Sequence, residues 1–166
     1  MTTTSAHSPR RVLRPIEAIL GAGLLAAVLD IANPIIIWGL KGVPAERILQ
    51  SVASGLLGKA AFAGGAATAA LGMAAHTLIM LGAATVYYLA SRRLPAMNRH
   101  PWIAGPAFGF GFYFFMNYLV VPLSQAGMKP PHGWFPVLNQ MFCHLVLVGL
   151  TFSLIISRAR KSGDPA

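Results

Sequence analysis

Three titratable residues, Asp30, His76 and His144, fall inside three different long apolar runs of the chain. One carboxylate and two imidazoles can share a proton, ligate a divalent metal, or clamp a haem between the two rings. Their setting makes them informative. Each run is long enough to cross a bilayer, and an Asp at the centre of a membrane helix costs roughly 2.5–3.5 kcal/mol on insertion scales. Residues kept at that cost face a bundle interior and have partners there. The expected site is a polar pocket with Asp30, His76 and His144 as its floor and Asn117, Gln140 and Tyr113 as its walls. Asn33 lies one turn beyond Asp30.

The elements that must position these groups follow from composition. The 166 residues are 55% hydrophobic and 10% charged, with a mean hydropathy of +0.62. Soluble domains carry about 25% charged residues, so a soluble chain this poor in charge could not clothe its surface. About 20 mostly apolar residues cross a bilayer core. Four segments qualify: 16–40, interrupted by Asp30 and Asn33-Pro34; 66–90, rich in Ala and Gly; 102–121, rich in Phe; and 135–157. The fold class is an all-α four-transmembrane-helix bundle, residues 15–160. It is flanked by a disordered basic tail at 1–14 and a short tail at 161–166.

The net charge of +9 would suggest nucleic acid in a soluble protein. Here the basic residues border the apolar runs, so the partner is the lipid bilayer and nucleic acid is not expected. Arg10, Arg11, Arg14, Arg92, Arg93, Arg99, Arg158, Arg160 and Lys161 fall on one side of the four spans, and Lys41, Arg47, Lys59 and Lys129 on the other, nine against four. The positive-inside rule then places both termini in the cytoplasm of a multi-pass inner-membrane protein. The first span also has the flanks of a cleaved signal peptide, but its apolar character resumes after Asp30 and runs to Leu40. The lone cysteine, Cys143, excludes an internal disulfide and any Cys-based metal motif.

Residues 44–57 predict an amphipathic helix on the outer interface, with Ile48, Leu49, Val52, Leu56 and Leu57 on one face and Glu46, Arg47, Gln50, Ser51 and Ser54 off it. A re-entrant lid over the bundle is the alternative. Ser124 to Trp134, with Pro130-Pro131, reads as a short irregular loop. Small residues mark the packing faces: Gly65 and Gly72 with His76 in the second span, Gly105 and Gly109 in the third. At about 1.5 Å per residue, Asp30, His76 and His144 all lie roughly 13–15 Å below the outer ends of their spans. Asn117 and Gln140 lie roughly 6–8 Å below them. Pro34 has no N–H to offer the carbonyl of Asp30, the kind of freed backbone that lines a cavity or is re-satisfied by a neighbour.

Three functions are compatible with such a pocket. The first is proton-linked handling of a small solute or ion; four short spans make a thin wall, which calls for a homodimer. The second is a structural or helper subunit of a larger membrane complex, with the polar groups as inter-helix glue worth about 0.6 kcal/mol per contact. The third is a metal- or haem-binding membrane protein using Asp30, His76 and His144, although no short-range ligand motif announces a cofactor and none is predicted. Catalysis is not expected: there is no Gly-x-Ser-x-Gly elbow, no His-Glu-x-x-His, and no nucleotide-binding loop at Gly58-Lys59.

Several stretches carry a resemblance. They are Gln50 to Gly58, Ala61-Phe62 with Gly64-Gly65, Gly72 followed by His76, Tyr87 to Pro95, and Met116 to Ser124. Together, over most of 21–149, they resemble a group of small four-span bacterial inner-membrane proteins with no assigned activity. The resemblance implies bacterial origin and four spans, and it implies no mechanism. Asp30, His76, Asn117 and His144 match that group's polar positions. Where the group carries aromatic residues after the His, this chain has Thr77 and Leu78.

Overall fold

The computed structural model describes residues 14–129 and 131–161. Most of the basic tail, including Arg10 and Arg11, lies outside the described residues, as do Pro130 and residues 162–166. All described regular structure is helical. The long helices are α1 (Pro15–Gly39), α3 (Gly65–Arg93), α5 and α6. Helix α5 runs Pro101–Phe115, continues through a π-helical segment, Met116–Val120, and ends at Val121–Leu123. Helix α6 runs Trp134–Phe142, through a longer π-helical segment, Cys143–Leu150, into Thr151–Lys161. Two shorter helices, α2 (Ala45–Leu57) and α4 (Ala96–Arg99), lie in the connections. The four long helices are apolar and long enough to cross a membrane, which makes this a multi-pass membrane protein.

Small residues decide how the helices meet. Helix α1 lies between α3 and α6. Its Ala18, Ala22 and Ala26 are fully buried, and a Cβ on Gly23 would strike the Leu81 side chain of α3. Helices α5 and α6 approach through glycine on both sides. A Cβ on Gly105 would collide with the Gly149 carbonyl, and one on Gly109 with the carbonyl of His144. Close backbone approach is the main source of cohesion between helices in lipid, where apolar burial offers no net drive. Gly105 opposite Gly149 and Gly109 opposite His144 set an antiparallel register. One end of the bundle therefore carries the α3–α5 connection and the chain-terminal ends of α1 and α6. The other end carries α2 and the loop 124–133.

The core fills the half nearer the chain termini. Tyr87, Phe112, Phe152, Val148 and Ile156 are buried there. The Tyr87 ring meets Phe108 edge-on at 5.1 Å, in the geometry favoured by aromatic quadrupoles. The large apolar side chains of Leu24, Leu25, Val28, Leu78, Phe114 and Phe115 point outward, as a hydrocarbon environment permits. Cys143 is buried as a free thiol, a small apolar filler.

Helix α2 packs on α3 and reaches the end of α5. The Leu49 carbonyl sits where a Cβ of Gly72 would be, and the Gln125 N–H donates to the Gly55 carbonyl at 3.0 Å. The buried face corrects the amphipathic expectation. Ile48, Gln50, Ala53 and Ser54 turn inward, whereas Leu56 and Leu57 are exposed. The reason is local hydrogen bonding. Gln50 Nε2 donates to Glu46 Oε1 at 3.1 Å and to the Gly65 carbonyl at 3.2 Å, while the Ser54 hydroxyl donates to the Ser51 carbonyl at 2.6 Å. Satisfied polar groups can face the protein, so the leucines are free to face outward. Gly58 and Gly65 turn the chain between α2 and α3 with φ of 58° and 56°, a region that glycine enters without steric cost.

The α5–α6 contact generates a stability prediction. Gly109→Val places a branched side chain on the His144 carbonyl and should destabilise the protein by about 1–3 kcal/mol, the usual cost of overpacking. Gly111→Ala, whose Cβ meets open space, should be neutral. Unfolding in detergent, followed by circular dichroism, checks both.

Candidate functional site

The first site residue is brought to the second by the α1–α3 contact. His76 Nε2 lies 3.1 Å from the Ala27 carbonyl oxygen and 3.9 Å from Asp30 Oδ2. Ala27 and Asp30 are three residues apart on one face of α1, so a single imidazole edge meets both. With its proton on Nε2, the ring donates to the Ala27 carbonyl and leaves the Asp30 carboxylate at ion-pair distance. The side chains are 8% and 15% exposed. Water is nearly excluded, so the carboxylate depends on the neighbouring ring edge for its stabilisation. Pro34 removes the donor that the Asp30 carbonyl would otherwise have within its helix.

One turn toward the loop end, Asn33 reaches across to α6. Its Nδ2 donates to Asn139 Oδ1 at 3.3 Å, and Asn139 Nδ2 donates back to Asn33 Oδ1 at 2.8 Å. This reciprocal amide pair is the direct polar link between α1 and α6 beside the site. The residue sequence did not single out Asn139. It is adjacent to Gln140, and helical spacing alone does not say which of the two turns toward α1.

Asn139 and Gln140 also line a cavity of about 400 Å³ that opens among the loops, bordered by Trp38, Lys129, His132 and Phe135. Of the residues expected to form a pocket, Gln140 alone lines this one. Asp30 does not line it. Asn139 of the cavity floor pairs with Asn33, and Asp30 with its partner His76 lies one helical turn further along α1.

His144 belongs to a second set of contacts. Its Nδ1 lies 2.9 Å from the Gln140 carbonyl one turn above, and its ring packs against Phe112 and Tyr113 of α5, at 5.5 Å and 5.7 Å between centroids. The structure thus joins Asp30 to His76 and turns His144 toward α5. Among the described residues no three His, Cys, Asp or Glu side chains are grouped to hold a metal ion, so the three-ligand centre of Asp30, His76 and His144 does not assemble. The glycine contact at Gly109 explains this, because it draws the His144 turn onto α5.

Around His144 the helices depart from regular α geometry. Asn117 lies within the π segment of α5 and His144 within that of α6. Asn117 is buried, and its Nδ2 donates to the Tyr113 carbonyl at 3.0 Å. The Tyr113 hydroxyl and Gln140 Oε1 are buried with no protein hydrogen-bond partner. Leaving a buried polar group unpaired costs about 1–3 kcal/mol, and π segments concentrate at functional sites. The two unpaired groups stand at facing levels of α5 and α6, with the α6 π segment beginning one turn from Gln140 and the α5 π segment one turn from Tyr113. Periodicity cannot reveal a π segment, since one extra residue per turn leaves apolar composition unchanged.

The amide pair gives a direct test. Asn33→Ala and Asn139→Ala should each destabilise the protein, and a double-mutant cycle should return a coupling of about 0.6–1.7 kcal/mol, the range found for hydrogen bonds between membrane helices. A coupling indistinguishable from zero would contradict the pairing.

Comparison with known proteins adds no relative to these contacts: no family model, no curated protein and no solved structure matches the chain.

Proposed function

We propose that this chain is a bacterial inner-membrane protein that uses the Asp30–His76 pair for proton-linked handling of a small solute or ion taken up from the outer face. The observation that carries this reading is the pair itself: a carboxylate and an imidazole 3.9 Å apart, nearly excluded from water, in helices that cross a membrane. Proton relays in membranes are built from such groups. A carboxylate and an imidazole this close can share a proton. Asn139 and Asn33 stand between this pair and an open cavity, where a path for a solute or for hydrated protons would run.

The orientation follows from charge. Arg14, Arg92, Arg93, Arg99 and Arg158 lie at the end that carries the chain termini, which the positive-inside rule assigns to the cytoplasm. The cavity end then faces outward. Helix α3 has 29 residues and spans about 43 Å, against a hydrocarbon core of about 30 Å. The excess length leaves room for its first turns to project at the outer end, where α2 packs, which suits α2 to the outer interface. The working unit we propose is a homodimer within the lipid bilayer, because four helices leave only a thin wall around a path.

A structural or helper role in a larger membrane complex is favoured by one observation, the reciprocal Asn33–Asn139 amide pair, which serves as helix glue without any titration.

Proteoliposomes loaded with a pH-sensitive dye separate the two. Under an imposed potential, the native protein should acidify the lumen. Asp30→Asn and His76→Ala should each slow this at least tenfold while remaining folded. Equal rates in all three proteins would contradict the proton-linked reading. Variants that misassemble at every pH would favour the structural one.

A further inference from the structure

The rim of the loop-end cavity carries a chemistry that the proton-handling pair does not use. Lys129, His132, Trp38 and Phe135 border it, with Asn139 and Gln140 below. Lys41 stands beside it, its Nζ 4.5 Å from the centre of the Trp38 ring and 4.9 Å from that of Phe135. Among the described residues no carboxylate lines this space. The whole chain holds only four acidic residues, and Glu46 is engaged with Gln50 on α2. The two ammonium groups therefore make the cavity positive, with aromatic and proline walls. At its base the Asn139 amide is paired with Asn33, and the Gln140 side chain is the other amide present. Gln140 Oε1 is buried with no protein partner. A volume of about 400 Å³ lies within the range of small-molecule sites, which pair apolar walls with a few convergent polar groups.

We propose that this cavity binds a small organic anion: an acidic group held between Lys41 and Lys129, on a flat apolar body stacked against Trp38 and Phe135. A free aromatic acid has both parts; an anionic lipid headgroup shares the acidic group alone. Lys41 lies against both rings, so its charge stands beside a ligand that stacks on them. The assignment deepens the proton-linked reading by naming the solute class, since an anion arriving above Asp30 and His76 is the natural companion of a proton. It rests on that reading only for its physiological use; the binding itself is tested separately.

The test uses the full-length protein in nanodiscs of zwitterionic lipid, titrated with benzoate while tryptophan fluorescence is followed. Saturable quenching by benzoate, and none by benzamide, supports the assignment. Lys41→Gln and Lys129→Gln should each weaken benzoate binding about tenfold or more, as expected for loss of a charge-assisted contact, and Phe135→Leu should weaken it without altering charge. Nanodiscs containing phosphatidylglycerol identify the source. Competition by that lipid at equal benzoate concentration assigns the site to a headgroup, and its absence assigns the site to the free acid. Equal quenching by benzoate and benzamide, or benzoate affinity unchanged in both lysine variants, overturns the proposal. Loss of benzoate binding while Asp30-dependent proton uptake persists refutes this assignment alone. Benzoate binding in a protein that moves no protons refutes the proton-linked reading alone.

Discussion

The constraint on which the rest of the structure depends is the placement of a carboxylate in a helix that crosses a membrane. Asp30 must have partners, and only the neighbouring helix can supply one. The Gly23–Leu81 contact brings α1 and α3 together closely enough for His76 to reach both Asp30 Oδ2 and the Ala27 carbonyl. A larger residue at position 23 would hold the helices apart and strand the acid. The alanines at 18, 22 and 26, fully buried, keep α1 slim toward the chain-terminal end, where it meets the core with Phe152 and Ile156. Packing and electrostatics are thus one arrangement here: small residues bring the backbones together, and the approach makes a buried charge tolerable.

The same logic explains why His144 goes elsewhere. Glycines at 105, 109 and 149 pull α6 onto α5, and the turn carrying His144 goes with them. Its imidazole settles against Phe112 and Tyr113 and bonds to its own helix at Gln140. Two glycine seams, one on each side of the bundle, divide the three titratable groups into a pair and a single residue. The two sets of contacts meet again at the cavity, where Asn139 and Gln140 are neighbours. The π segments in α5 and α6 give that half of the bundle a backbone that a uniform α-helix would not provide, while the terminus-side half is closed by Tyr87, Phe108 and Phe152.

Much of the architecture could be read from the residues. Four long apolar runs announce four membrane helices because hydrocarbon tolerates no other open structure, and the glycines at 72, 105 and 109 stand where backbones meet. The meeting of Asp30 and His76 could be anticipated from a shared depth and from the cost of leaving either alone. The position of His144 could not, because depth says nothing about which neighbour a helix face turns toward. Nor could the orientation of α2, where Gln50 and Ser54 face inward. Amphipathic periodicity assumes that polar groups seek water, and these find partners in Gly65, Glu46 and Ser51 instead. The Asn33–Asn139 pair, 106 residues apart in sequence, is a tertiary event with no local trace.

The most direct test of the account is the distance between the Asp30 carboxyl carbon and the His76 ring nitrogens. Rotational-echo solid-state NMR measures it in protein labelled at aspartate with ¹³C and at histidine with ¹⁵N and reconstituted in lipid. With Oδ2 3.9 Å from Nε2, the account predicts a dipolar contact between the carboxyl carbon and Nε2, abolished in His76→Ala and kept in His144→Ala. A contact absent from the native protein, or lost in His144→Ala alone, would contradict it.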